Sequence, residues 1–378
     1  MRILFVPTFT TTHRLGEADI SSDAIGYGIT CAAALTDGLQ SIGHEIEAVD
    51  VPTDSGRTEW IGRVLAELER RLRRERYDAI LMFHAFWPFA AEIRRLLDDL
   101  GVSVALVGYT HGSHWDRTDL FRQARYPRLR WLDLGNLLAL DRVLADSHYM
   151  RDVLVSGVMT VSERAAAELD ARLRPVGLPL DLSRIDAVQC EPADGYVGVV
   201  FNHALIPAKQ PGLFFDVARD VLASENVYVV VTRNLAKDCE WRGAAECLER
   251  RFPGRVTLGR DFSIDAYYRC LWRCSLQVST ATHESFGIAT LEAMVTQNHC
   301  LVPRRASYPE ICDGDKDALY DTADELTARL HDAIAHPQAS AETARRLSDA
   351  ARRRYNPVRV AGAVGAVLAE AVADRALG

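Results

Sequence analysis

The sequence predicts an α/β chain folded into two doubly wound domains, each built on a parallel sheet. Three observations lead there. The 378 residues exceed what one ordinary hydrophobic core holds. Short apolar, β-rich runs alternate with longer helical periodicities, which implies parallel strands joined by crossover helices. The alternation stops at a polar stretch, Leu182 to Tyr196, and then starts again.

The elements follow in order. "RILFVP" reads as the first strand, and a loop rich in hydroxyls and glycine, Thr8 to Gly28, follows it. "ITCAAALTDGLQSIG" is a helix and "HEIEAVDV" the next strand. "TEWIGRVLAELERRLRRER" is an amphipathic helix whose basic residues alternate with acids and suit a solvated face. "YDAILMF" and "VSVALVGYTHG" are strands on either side of the helix "AAEIRRLLDDLG". "DRVLADS" is one more strand, and Ser147 caps the helix after it. The second domain supplies "VGVVFN", a helix after Lys209-Gln210-Pro211, then "VYVVVT", "RVTLG", "SLQVST" and "NHCLVP". The expected domains are residues 1–190 and 191–356. Residues 357–378 form an Ala/Val helix expected to pack back on the first domain.

Composition narrows the class. The chain is 48% hydrophobic and 25% charged, the profile of a soluble globular protein. No apolar run reaches the roughly 18 residues that cross a bilayer. The N-terminal "MRILFVPTFTTTH" reads as a buried strand and not as a signal peptide. A net charge of −8 excludes a surface that binds polyanions everywhere, so basic clusters must act locally. The eight cysteines contain no CxxC pair. Cys270 and Cys274 lack the second pair that a metal site needs, and the set reads as thiols of a reducing cytoplasm.

In such sheets, ligands bind beyond the carboxyl ends of the strands. There, in "VSTATHESFGIATLEAM", Glu284 lies in a loop after a strand, and a helix opens at or just after Gly287. Glu292 falls in the helix's second turn. Open N–H groups at a helix start attract a phosphate, and a glycine lets it approach the backbone. Carboxylates beside a phosphate repel it unless they accept hydrogen bonds from hydroxyl groups. A nucleotide sugar offers both parts: a diphosphate for the helix start, sugar hydroxyls for Glu284, and a ribose for Glu292. A surface glutamate and a solvated helix glutamate would give the same spacing.

The context resembles the signature of retaining glycosyltransferases of family four, which have the GT-B architecture of two Rossmann-like domains facing a cleft. The matching residues are Glu284, Phe286, Gly287, Leu291, Glu292, Ala293, Pro309 and Glu310. The resemblance implies a UDP- or GDP-linked hexose as donor, with Ser285 and Ile288 beside it. No metal or other cofactor is required, because cationic side chains and the helix start stabilise the leaving nucleotide. It also implies front-face attack by an acceptor hydroxyl, with the leaving phosphate taking the proton. Lys209 matches the family's lysine. The usual Gly-Arg before it is replaced by Asn202-His203, so one fixed cation is missing, and Arg233 is a candidate substitute. In the first domain, His111 matches a histidine that faces sugar and acceptor, although a histidine there can also pack or cap. Gly26 and Gly28 match a glycine-rich loop near the phosphates.

A narrower resemblance concerns the acceptor. Asn202, His203, Lys209, Tyr308, Pro309 and Glu310 are similar to the pattern of the tRNA-queuosine mannosyltransferase group, which glycosylates a modified base. The segment His114 to Trp131 interleaves five arginines with Trp, Phe, Tyr and Trp. Guanidinium groups hold phosphates and aromatic rings stack on bases. His114, with Asp116 of the same loop, and Arg122, Arg125 and Tyr126 are the acceptor-side candidates. A solvated loop or helix with its aromatics buried in the core fits the same letters. A small-molecule or lipid acceptor, a nucleotide-sugar epimerase or phosphorylase, and a binding module without turnover stay as alternatives.

Overall fold

A computed structural model describes residues 1–8, 27–51, 56–86, 89–119, 128–192, 195–233, 235, 239–259 and 262–377. The chain divides into two compact units. The first runs to Leu180 and takes up Tyr355–Gly378 again. The second holds Asp181–Arg354.

The sheet of the first unit has six parallel strands in the order β2-β1-β3-β4-β5-β6. They are β1 (Arg2–Val6), β2 (Glu45–Ala48), β3 (Ala79–Met82), β4 (Ala105–Thr110), β5 (Arg142–Ala145) and β6 (Leu173–Pro175). Every residue of β3 and β4 is buried, as expected of central strands covered by helices on both faces. The helix Arg57–Leu72 turns Trp60, Val64, Leu68 and Leu72 inward at four-residue spacing. Ser147 caps His148–Met159 by accepting from Met150 N–H.

The C-terminal helix Pro357–Leu377 belongs to this unit. It lies so close to Tyr27–Ser41 that a Cβ on Gly38 would stand 2.7 Å from Pro357 O. Glu370 and Asp374 accept from Arg142, Glu370 also accepts from Arg174, and Arg375 donates to Asp141. Neither this helix nor any other described one is long and apolar enough to cross a membrane.

The second sheet also has six parallel strands, in the order β12-β11-β10-β7-β8-β9. These are β7 (Val197–Phe201), β8 (Val227–Val231), β9 (Val256–Leu258), β10 (Leu276–Val278), β11 (His299–Pro303) and β12 (Leu319–Tyr320). The strand order reverses between β7 and β10. The loops after those two strands therefore diverge at a switch point, where open α/β sheets bind ligands.

The units change at Leu180–Asp181, ten residues before the boundary expected from sequence. The polar stretch is no linker. Asp181 caps a short helix, Leu182–Ala187, by accepting from Arg184 N–H. That helix docks on Ile264–Arg273: Trp272 Nε1 donates to Ile185 O at 2.8 Å, and Arg184 pairs with Asp265 at 3.1 Å.

Candidate functional site

The two switch-point loops are stitched together. After β7 the chain makes a 3-10 turn, Pro207–Lys209. Gln210 then takes a left-handed conformation and Pro211 opens the helix Pro211–Ser224. Thr280, just past β10, donates to Lys209 O at 2.7 Å and Gln210 O at 2.9 Å, and Thr282 N–H donates to Ala208 O at 2.9 Å. This fixes the backbone of Lys209 against the loop that carries Glu284. The Lys209 ammonium then donates to Glu284 Oε2 at 2.7 Å and to His283 O at 2.9 Å. Burial alone would raise the Glu284 carboxyl, but the Lys209 charge and hydrogen bond override it and hold the pKa below the usual carboxylate range.

The helix beyond the loop is Ile288–Val295, and Gly287 is its N-cap with φ +96°. A Cβ there would stand 2.8 Å from Ile311 Cδ1, so the position needs glycine for its backbone and for its space. The first bond across this helix start runs from Leu291 N–H to Gly287 O at 2.9 Å. The N–H groups of Ile288, Ala289 and Thr290 therefore form the open end that attracts an anion. Phe286 is buried, while Ser285 and Ile288 are half-buried beside this opening.

Glu292 sits in the second turn and is buried. Its two oxygens accept from Tyr267 at 2.7 Å and Tyr268 at 3.1 Å, two side chains of the helix Ile264–Arg273. Burial raises its pKa against these bonds. A carboxylate has about four acceptor sites, so capacity for a further hydroxyl remains. Asn202 is different. Its Nδ2 donates to Tyr267 Oη at 3.1 Å and to Ala289 O at 2.6 Å, and its Oδ1 faces Gln277 Nε2 at 3.3 Å. Both amide hydrogens are engaged and the residue is fully buried. These bonds tie the end of β7 to the site helix. His203 is also buried, against Phe201 and Gln277. Arg233, after β8, acts electrostatically on His203, Tyr267 and Glu292, which places its charge beside this network.

The first unit holds the other candidates. His111 follows β4, and its Nε2 donates to Phe83 O at 2.5 Å. The ring stacks on Tyr109 with centroids 5.3 Å apart, and only 6% of the residue is exposed. His114 packs against Phe86, and both its backbone N–H and its Nδ1 face Asp133 Oδ2, which also accepts from Ser113. Asp116 accepts from Thr118 N–H and Oγ1. Arg130 lies over the rings of Trp115 and Trp131, and Trp131 is 52% exposed. Gly28 falls in the first turn of Tyr27–Ser41. Gly26, Arg122, Arg125 and Tyr126 lie outside the described residues. Among the described residues, no group of three or more His, Cys, Asp or Glu could hold a metal ion.

Sequence reading missed Tyr267, Tyr268, Gln277 and Thr280. A signal existed for Gln277: it is polar in the middle of an apolar strand, where a buried amide needs partners. The tyrosines gave none, because an aromatic on an apolar helix face reads as core.

Comparison with known proteins adds the following. Residues 26–170, in the first unit, match the model of Glycosyltransferase Family 4. A tRNA-queuosine alpha-mannosyltransferase of Drosophila melanogaster is 35% identical over 74 residues, covering 20% of this chain and only 19% of that protein's length. Sucrose-phosphate synthase from Thermosynechococcus elongatus superposes with a TM-score of 0.74 at 13% identity, covering 99% of this chain and 100% of that one. Anabaena HepE in complex with UDP-glucose gives 0.70 at 14% identity, over 98% and 100% of the two chains. The trehalose 6-phosphate synthase of Burkholderia multivorans gives 0.70 at 14%, over 100% and 98%. Likeness at such identities speaks to the fold: the chain is built on the GT-B fold of two Rossmann-like parallel-sheet units, and its match to Glycosyltransferase Family 4 falls in the first.

Proposed function

We propose that the chain is a glycosyltransferase that moves a hexose from a UDP- or GDP-linked sugar to an acceptor hydroxyl, with retention at the anomeric carbon. The observation that carries this reading is the Lys209–Glu284 pair at the β7/β10 switch point, 2.7 Å apart and next to the helix start opened by Gly287. The open N–H groups of Ile288–Thr290 and the Lys209 ammonium receive the diphosphate. Glu284, kept ionised by Lys209, accepts hydrogen bonds from the sugar hydroxyls, and Glu292 accepts from the ribose. Catalysis then rests on positioning and on charge stabilisation as the diphosphate departs. The acceptor oxygen attacks from the face the diphosphate leaves, and its proton passes to the leaving phosphate. His111 of the first unit is the candidate contact for sugar and acceptor.

We place the acceptor hydroxyl on a modified base of a nucleic acid. Support comes from the Drosophila relative, whose name gives a tRNA nucleoside as substrate, and from the Trp115–Arg130–Trp131 stack near His114. The test is incubation with labelled UDP- and GDP-hexoses, tRNA and small-molecule extracts. Nucleotide release and the mass of the digested nucleosides are then measured. A hexose gain in a nucleoside is expected. A gain in a small molecule or lipid instead would move the acceptor, and isomerised sugar without acceptor transfer would mean an epimerase. E284Q should lower transfer by on the order of 10²-fold or more, the size of one preorganised contact to the reacting sugar. An unchanged rate would remove Glu284 from the site.

A further inference from the structure

His203 stands where the resembling family carries an arginine, yet its ring is neutral. Burial first, and then the Lys209 charge, push its pKa down to about 3. A neutral imidazole has one donor and one acceptor nitrogen, and their assignment decides what it offers a phosphate. The surrounding hydrogen bonds fix that assignment in three steps. Ala289 O can only accept, and Asn202 approaches it at 2.6 Å, so the nitrogen of that amide must face it. Asn202 Oδ1 then faces Gln277 and can only accept, so Gln277 must present its Nε2, at 3.3 Å. The same Gln277 Nε2 lies 3.1 Å from His203 Nε2. An amide nitrogen does not accept, so His203 Nε2 is the acceptor and the ring proton sits on Nδ1. That leaves Nδ1 as the ring's one donor, on a residue only 2% exposed.

We propose that Gln277 is a positioning residue that holds His203 in its Nδ1–H tautomer, so that His203 donates a neutral hydrogen bond to a phosphate oxygen of the departing nucleoside diphosphate. This rests on the donor reading above. In the step, the bond from the anomeric carbon to the diphosphate oxygen breaks and its electron pair stays on the diphosphate. The acceptor oxygen bonds to the anomeric carbon and its proton goes to the leaving phosphate, while His203 keeps its own proton throughout. Lys209 and Arg233 already place two positive charges around the ring, so a neutral donor adds a contact without adding a third buried charge.

Two measurements on the full chain test this. In the first, histidine-selective 15N NMR at pH 7, with H203N identifying the signal, should show a neutral ring protonated on Nδ1. In the second, calorimetry with UDP and GDP compares the wild type, Q277M, H203N and H203N/Q277M. Q277M should weaken binding of the preferred nucleoside diphosphate by about tenfold, the scale of one hydrogen bond to a charged group. The H203N amide donates whatever occupies position 277, so Q277M should cost little more in that background. If the wild type binds neither UDP nor GDP, the donor reading falls and this proposal with it. If the wild type binds, then a ring protonated on Nε2, a charged ring, or a Q277M chain that binds equally well overturns this proposal alone. Should Q277M fail to fold, the wild-type NMR result decides.

Discussion

Lys209 and Glu284 show how two side chains set each other's chemistry. Each is mostly buried, at 14% and 15% side-chain exposure, so neither charge is stable without the other. Substituting K209M removes the largest of the causes that lower the Glu284 carboxyl and leaves burial, which raises it. The acid limb of kcat/KM against pH should therefore move to higher pH in K209M, and transfer at pH 7 should fall by about 10²-fold as the diphosphate loses its cation. The K209M chain should also be destabilised, by roughly 3 kcal/mol or less given the residual exposure, because an unpaired buried carboxylate remains. K209M/E284Q should recover part of that loss in a denaturant titration. A K209M chain with wild-type stability and an unmoved acid limb would show that the pair is a surface contact only.

At the scale of elements, the site depends on how the helix Ile288–Val295 begins. In G287A, an alanine must take φ +96° and its Cβ must displace Ile311 Cδ1 from 2.8 Å. We expect a cost of about 1–2 kcal/mol from backbone strain alone and a raised KM for the donor, because the open N–H groups shift. An unchanged KM would remove the helix start from the diphosphate site. This helix start was legible in the sequence: the Phe-Gly pair followed by an apolar helical run named the element and its first residue. The strands were legible too, as apolar runs bounded by turn residues, and so was Ser147 as a cap. The helix Leu129–Ala139 was not, because its first turn, with Arg130 and Trp131, closes the segment that read as ligand-binding. Strands β6 and β12 have three and two residues, too short for a period to show. The bond from Tyr267 to Glu292 joins residues 25 apart on two helices, and no spacing rule connects them. Y267F/Y268F should leave the Glu292 carboxylate without those donors, at a cost of about 1–3 kcal/mol for each buried bond lost.

For the whole molecule, the buried histidine and the long-range charge give separate tests. His203 titrates at about 3 when folded against an ordinary 6.5, so the unfolded chain binds its proton first as pH falls. Its contribution to stability is full above about 6.5 and is lost progressively toward about 3. Glu284 acts with the same sign at lower pH, whereas Glu292, with a raised pKa, acts with the opposite sign. The thermal midpoint of the wild type should fall more steeply between pH 7 and 5 than that of H203N, and parallel curves would contradict the burial of that ring. Net charge bears on the acceptor. With −8 overall, the chain repels a polyanion at long range, so a nucleic acid can bind only where basic groups such as Arg130 cluster beside exposed Trp131. Each phosphate neutralised contributes roughly 0.7 to the slope of log affinity against log salt for a single strand. A loop that meets several arginines should therefore bind tRNA with a slope of about −2 to −4. R130A should lower that slope by about 0.7, and W131A should weaken binding without changing the slope, since stacking releases no counterions. A flat salt response would return the acceptor to an uncharged small molecule, with the donor half of the reaction unaffected.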